Sequence, residues 1–318
     1  MKLREQEFSH GISTIDANFM RSGLAAIHLI VEQGRAVIID TGASSSVPFV
    51  LEALRRKGMS ADQVDYVILT HVHLDHAGGA GELMRHCPNA QLVVHPRGAR
   101  HMIAPSKLIA GATEVYGTQG MLDMYGEILP VPAERVIEAP DGFQLAWRGR
   151  PLLFLDTPGH ARHHCCIVDE TSRSIFSGDT FGISYRDFDV DGREFIFPTT
   201  TPVQFDPPAL HLSIDRLLSY QPRQIFLTHY SRVMQIERLA QDLHELINEH
   251  VNVAQRFRSE PAQHRHQLIR AGIESLLLER LRRHGCQLPL ETQRELLALD
   301  TELNAQGLGV WLSSASAG

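Results

Sequence analysis

The run Thr70-His71-Val72-His73-Leu74-Asp75-His76 sets three imidazoles and a carboxylate within a few positions, directly after the apolar stretch Tyr66-Val67-Ile68-Leu69. A strand ending here delivers four metal-binding groups to the loop beyond the end of a sheet. In extended backbone, residues two apart face the same way, so His71 and His73 can converge on one ion. Asp75 and His76 follow once the chain turns and can reach a second ion nearby. Imidazole nitrogen and carboxylate oxygen are donors that zinc, iron and manganese all accept. A lone His-x-His is most often a pair of ordinary loop histidines. Here the pattern recurs: apolar residues 152–155 precede Asp156-Thr157-Pro158-Gly159-His160, residues 174–176 precede Ser177-Gly178-Asp179-Thr180, and residues 225–227 precede Thr228-His229-Tyr230. Each time a strand ends and a potential ligand appears within a few positions, often beside a glycine that permits close backbone approach.

The elements that must position these groups are short apolar strands, punctuated by Gly, Asp and Pro and alternating with helical stretches. Strands are predicted over 25–32 and 36–40, joined at Gln33-Gly34, and over 64–70, 91–95, 152–156, 165–168, 174–177 and 224–228. Residues 47–57 have helical spacing with Gly58 as a stop, and residues 97–127, rich in Met, Gly and Tyr, read as a helical excursion over a pocket. Strands interleaved with helices predict an α/β chain, in which sites gather beyond the carboxyl ends of strands. From Val233 to about Asn304 the chain changes character, with Leu239, Leu243, Leu246 and Ile247 marking one helical face. Pro261 and the region 285–289 divide this tail into three helices. The expected division is a catalytic domain over 1–232 and a helical extension over 233–318, serving as a lid, a dimerisation element or both. The last residues, 313–318, read as a frayed end.

The motifs HVHLDH, TPGH, SGDT and THY, in that order over roughly residues 20–230, resemble the motif series of the metallo-β-lactamase superfamily. The resemblance implies a four-layer αββα sandwich with two metal ions at one edge. It implies that His71, His73 and His160 hold one metal, that Asp75, His76 and His229 hold the other, and that Asp179 bridges them. Zinc is the first expectation, with iron or manganese as alternatives. Two ions roughly 3.5–4 Å apart lower the pKa of a shared water towards neutrality. They also stabilise charge on a carbonyl or phosphoryl oxygen. Asp75 and Asp179 are the carboxylates expected to orient that water or take its proton. The implied reaction is hydrolysis of an ester, lactone or thioester of a small molecule. A phosphodiesterase or nuclease with the same two metals, and a mononuclear iron dioxygenase using His71, His73 and His160, are the alternatives. A signalling protein that works through its tail is a further one. Among subgroups, β-lactamases usually lack the bridging aspartate, and flavodiiron proteins carry Glu where this chain has His73. The layout is nearest to glyoxalase II, the acyl-homoserine-lactone lactonases and the quinolone-signal thioesterase-like proteins, the last of which also carry a helical extension.

Residues outside the ligand set should govern specificity. The Phe- and Thr-rich segment, residues 181–186 and 195–202, adjoins Asp179 in sequence. Tyr185 and Tyr230 are candidate proton donors to a leaving group, and Arg186 a candidate grip for a carboxylate or phosphate. The plainer reading is a hydrogen-bonded structural tyrosine and a surface arginine. Met102, Met121, Met124 and Tyr125 are candidates for an apolar pocket wall or plain core. His163 and His164 read as supporting or packing residues, and His28, His95 and His101 are assigned no function. The chain has 318 residues, 43% hydrophobic and 21% charged, with a formal net charge of -7. That balance suits a soluble globular protein and excludes a general electrostatic affinity for nucleic acid or acidic membranes. The N-terminus lacks the apolar run of a secretory signal, and no stretch is long and apolar enough to span a membrane. Adjacent Cys165-Cys166 would make a strained disulfide, so the four cysteines are expected as free thiols in a reducing cytoplasm.

Overall fold

A computed structural model describes residues 3–200 and 204–314; Thr201 and Pro202 of the Phe- and Thr-rich segment, and residues 315–318, lie outside the described residues. In chain order the elements are β1 (Glu5–Glu7), β2 (Ile12–Asp16), β3 (Ala26–Glu32), β4 (Arg35–Ile39), α1 (Val47–Arg56), β5 (Val64–Ile68), α2 (Leu74–Ala77), α3 (Ala80–His86), β6 (Gln91–Val94), α4 (Pro96–Ile103) and α5 (Ser106–Tyr125). There follow β7 (Val136–Glu138), β8 (Gln144–Trp147), β9 (Arg150–Asp156), β10 (Cys165–Asp169), β11 (Ser174–Phe176), α6 (Pro207–Ser219), β12 (Gln224–Leu227), β13 (Ser231–Val233), α7 (Ile236–Arg256), α8 (Ala262–His284) and α9 (Leu290–Ser314). They form two compact units. One, the sheet unit, comprises the chain up to Asp156 with His163–Gly178 and Ile225–Arg232. The other, the helical unit, comprises Thr157–Arg162, Asp179–Gln224 and the chain from Val233 onwards.

In the sheet unit, seven strands run in the order β1-β2-β3-β4-β5-β6-β7 and a second sheet runs β13-β12-β11-β10-β9-β8. The β3–β4 hairpin closes where expected, with Gln33 at φ 48 and Gly34 at φ 71, the positive angles that a two-residue turn matched to strand twist requires. β4, β5 and β6 are parallel neighbours, so helices must carry the chain back between them: α1 before β5, then α2 and α3 before β6. Their continuous apolar runs fit strands covered on both faces. β8 instead alternates exposed Gln144 and Ala146 with buried Leu145 and Trp147. The two sheets share one core, in which Ile30, Val37, Ile39 and Ile68 of the first meet Phe154, Ile167, Phe176 and Phe226 of the second. The exposed fraction of each is zero, and each such side chain removed from water contributes about 1.5–3 kcal/mol.

The helical unit has three long helices where the tail pattern predicted them. Gly285, left-handed at φ 93, ends α8. Ile269, Ile273, Leu277 and Leu281 of α8, each four residues after the last, form a fully buried stripe. The N-terminus of α6 is held by Asp206, whose Oδ1 accepts the Ala209 N–H at 3.1 Å, and by prolines in the first turn. The segment after Asp179 is not an open loop. Phe181, Tyr185, Phe188 and Phe197 are fully buried, with Tyr185 and Phe197 rings edge-on at 5.8 Å. It makes an aromatic core of its own. All four cysteines are free. Among the described residues no helix is long and apolar enough to cross a membrane.

Candidate metal centre

Because β4, β5 and β6 are parallel, their carboxyl ends share one edge, and the chain leaves that edge through Asp40, through Thr70-His71 and through His95. Thr70 donates its main-chain N–H to Asp40 Oδ1 at 2.9 Å and its hydroxyl to Asp40 Oδ2 at 2.9 Å. Its Oγ1 lies 3.1 Å from His71 Nδ1. Since the threonine proton goes to Asp40, His71 Nδ1–H donates to Thr70, and His71 Nε2 keeps its lone pair. Asp40 and Thr70 therefore set the tautomer of a candidate ligand, a role the sequence reading missed. The signal was present: Asp40 ends a strand just before Thr41-Gly42, as the other candidates end theirs.

His73 occupies the N-terminal boundary of the short helix α2, which turns the chain so that Asp75 and His76 follow. The His71 ring centroid lies 4.5 Å from that of His73 and 4.6 Å from that of His76. His229, beyond β12, is brought to the same place. Asp75 Oδ2 lies 3.1 Å from His76 Nε2 and 3.4 Å from His229 Nε2, and the two nitrogens are 3.1 Å apart. His229 Nδ1–H donates to Leu24 O at 2.8 Å, which leaves its Nε2 lone pair facing the cluster. Burial would raise the Asp75 pKa, but the imidazoles of His76 and His229 outweigh it and hold the carboxyl well below its usual range. An ionised carboxylate and imidazole lone pairs crowded together fit a divalent cation of the N/O-liganded kind.

The helical unit supplies the other two candidates. His160 Nε2 and Asp179 Oδ2 are 3.3 Å apart and both side chains are buried. Their approach depends on α6. Gly159, at φ 129, has Leu210 backbone 2.4 Å from where a Cβ would stand. Ser213 Oγ donates to Pro158 O at 2.6 Å, and Asp206 N donates to Gly159 O at 2.9 Å. Thus the sheet unit brings together His71, His73, Asp75, His76 and His229, and the helical unit pairs His160 with Asp179.

The remaining candidates fall out differently. Tyr185, expected as a proton donor, is buried, and its hydroxyl lies 3.1 Å from Asp300 Oδ2 of α9, to which it donates. Arg186 donates to Ser184 O at 2.8 Å and pairs with Asp189 at 3.4 Å. Tyr230 is half-buried beside His229. Met102 and Met121 are buried, while Tyr125 stacks on Phe19 at 5.5 Å. Burial, then the negative charge of Asp75, pushes the Tyr125 phenol up, so it keeps its proton next to that carboxylate. His164 stacks on the His71 ring at 5.0 Å, and His163 Nδ1 accepts the Val72 N–H at 3.4 Å. Burial, then neighbouring His73 and His101, lowers His163 to about 3, so it supports as a neutral ring. His28, bonded to Thr14 and Leu227, and His95, which accepts the Arg97 N–H, are structural.

The fold and its clusters of imidazole and carboxylate donors suit divalent metal binding. The family model for the metallo-beta-lactamase superfamily matches residues 23–229, and the chain belongs to that superfamily. Over 210 residues it is 26% identical to the metallo-beta-lactamase fold-containing protein ST1585 of Sulfurisphaera tokodaii, covering 65% of this chain and 72% of that protein. It is 31% identical over 152 residues to a hydroxyacylglutathione hydrolase of Xanthomonas campestris pv. campestris, 48% of this chain and 44% of that one. An atrochrysone carboxyl ACP thioesterase of Aspergillus chevalieri is 28% identical over 152 residues, 47% of this chain and 38% of that enzyme. The chain thus spans less than half the length of those two enzymes. The solved structure of ST1585 superposes with a TM-score of 0.62 at 23% identity, over 95% of this chain and 99% of that one. A Thermus thermophilus family protein gives 0.59 at 21% identity over 82% and 89%. These likenesses establish the metallo-β-lactamase fold, here with a C-terminal helical extension.

Proposed function

We propose that this protein is a binuclear hydrolase of small-molecule acyl compounds, thioesters first and esters or lactones of similar shape next. His71, His73 and His160 would hold one cation, Asp75, His76 and His229 the other, with Asp179 between them. Bound there, such a cation pair, zinc before iron or manganese, acidifies a shared water towards neutrality and polarises the scissile carbonyl. Asp75 and Asp179 are the carboxylates that would orient the attacking water and accept its proton. Tyr230, next to His229, donates a proton to the leaving group. Tyr125, which keeps its own proton, is a second donor on the Asp75 side. Tyr185 serves by anchoring the aromatic segment that follows Asp179. The observation that carries the reading is the Asp75–His76–His229 cluster, whose donor atoms lie within 4.8 Å of one another. The choice of thioesters rests on two relatives, one named for hydroxyacylglutathione and one for an acyl carrier protein thioester.

The test is release of free thiol from hydroxyacylglutathione and acyl thioesters, run beside lactones, chromogenic phosphodiesters and an oxygen electrode. Thiol release should fall to background on chelation, return with added metal, and be lost in Asp179→Ala. Phosphodiester cleavage without thiol release, or oxygen uptake with one iron per chain, would instead overturn the assignment.

A further inference from the structure

Two histidines outside the candidate centre face each other across helices α6 and α7 of the helical unit. His211 Nδ1 and His244 Nδ1 are 2.6 Å apart, and their rings lie nearly parallel, 15° between planes and 4.9 Å between centroids. Each helix carries one histidine and, one turn further on, the partner for the histidine opposite. His211 Nε2 meets Asn248 Oδ1 at 3.2 Å, and His244 Nε2 meets Asp215 Oδ1 at 3.1 Å. Positions four apart share a helix face, so this crossed arrangement is set by the helical repeat.

The partners decide the tautomers. A carboxylate and an amide oxygen only accept, so both Nε2 atoms carry the hydrogen. A neutral imidazole has one hydrogen, and both Nδ1 atoms are therefore lone pairs. Two nitrogen lone pairs pointed at each other closer than an ordinary hydrogen bond repel unless a cation lies between them. Donation of the outer N–H to a carboxylate or carbonyl oxygen is how proteins orient ligating histidines and raise their basicity.

We infer that His211 and His244 form a second metal site, for a divalent ion of the zinc, nickel or copper class, with Asp215 and Asn248 orienting the rings. Imidazole donors suit these ions. Both rings are half-buried, so the ion is reached from solution and completes its coordination with water. Bonds of about 2.0 Å from each nitrogen to one ion set the nitrogens roughly 3 Å apart, so ion binding would turn both rings out of their head-on approach until the lone pairs converge. The ion would tie α6 to α7.

The test uses the full chain with its zinc sites filled, titrated with Cu2+ and followed by electron paramagnetic resonance. The expected result is one added copper per chain showing coupling to two imidazole nitrogens, lost in His211→Ala and in His244→Ala with turnover unchanged. Asp215→Asn, which keeps both ligands, should weaken binding about 10–100-fold. Equal copper uptake and an identical spectrum in the wild type and the double His211→Ala, His244→Ala variant would sink the proposal. So would a wild-type proton NMR signal for a shared proton between the rings that persists unchanged in excess Cu2+.

Discussion

At the scale of single residues, the chemistry of the centre depends on groups that are not themselves ligands. Asp40 does not face a cation in this reading; it fixes Thr70, and Thr70 fixes the His71 ring. Asp40→Asn keeps the shape but lets the amide present hydrogens to Thr70, and the His71 tautomer is no longer enforced. Metal affinity should drop about 10–100-fold, read as metal retained per chain after dialysis against graded chelator. Unchanged retention would remove Asp40 from the scheme. Gly178 makes a second case. It sits at φ 51, and a Cβ there would stand 2.3 Å from His164 Nε2 and 2.9 Å from Thr70 Cβ. Gly178→Ala combines an unfavourable backbone angle with overpacking between two fully buried side chains, and should cost about 2–4 kcal/mol in urea unfolding.

At the scale of elements, α9 is the informative one, because its buried face is partly polar. Asn304 Oδ1 accepts the Thr200 N–H at 2.7 Å, its Nδ2 donates to Pro198 O at 3.1 Å, and Asp300 accepts from Tyr185. Asp300 and Asn304 are one turn apart, so they clamp both ends of the aromatic segment from a single helix face. This explains polar residues at positions where the helical pattern alone calls for Leu. Asn304→Ala strands a buried amide hydrogen and a buried carbonyl, a loss of about 2–4 kcal/mol. It should also expose residues 181–200 to limited proteolysis before α7 or α8. If the first cuts instead fall elsewhere, the clamp is not what orders that segment. Within the helical unit α7, α8 and α9 pack on one another, and Leu243, Leu277 and Leu308 are fully buried.

At the scale of the whole molecule, each unit buries a histidine away from the candidate centre, His28 in the sheet unit and His250 in the helical unit. Burial lowers both His28 and His250 from 6.5 to about 4. Below pH 6.5 the unfolded chain binds protons that the folded chain refuses, so stability present above pH 6.5 is lost as the pH falls towards 4. The loss is about 3 kcal/mol for each histidine, from the difference in pKa. His250 donates only to Leu246 O, a carbonyl of its own helix, at 2.7 Å. His250→Leu removes the titrating ring at similar volume and should flatten the fall in the urea midpoint between pH 6.5 and 4. Parallel wild-type and variant curves would falsify this linkage.

The local sequence determined what is set by local chemistry. The hairpin at Gln33-Gly34, the strand preceding HVHLDH, the stop at Gly58 and the three tail helices follow from turn residues, apolar runs and helical spacing within short windows. Four of the candidate ligands were legible for the same reason, since one turn of chain carries them. Strands β1 (Glu-Gln-Glu) and β13 (Ser-Arg-Val) have no apolar run to mark them, and β2 is buried along its whole length although only Ile12 and Ile15 are apolar. Their pairing comes from neighbours elsewhere in the chain. Tertiary structure alone decided that Asp40 orients His71, that Tyr185 is held by Asp300, that the phenylalanines after Asp179 form a core, and that His211 meets His244. Apart from the phenylalanine core, each joins residues some thirty or more positions apart, and a side chain's partner across such a distance is fixed by packing, which no local window contains.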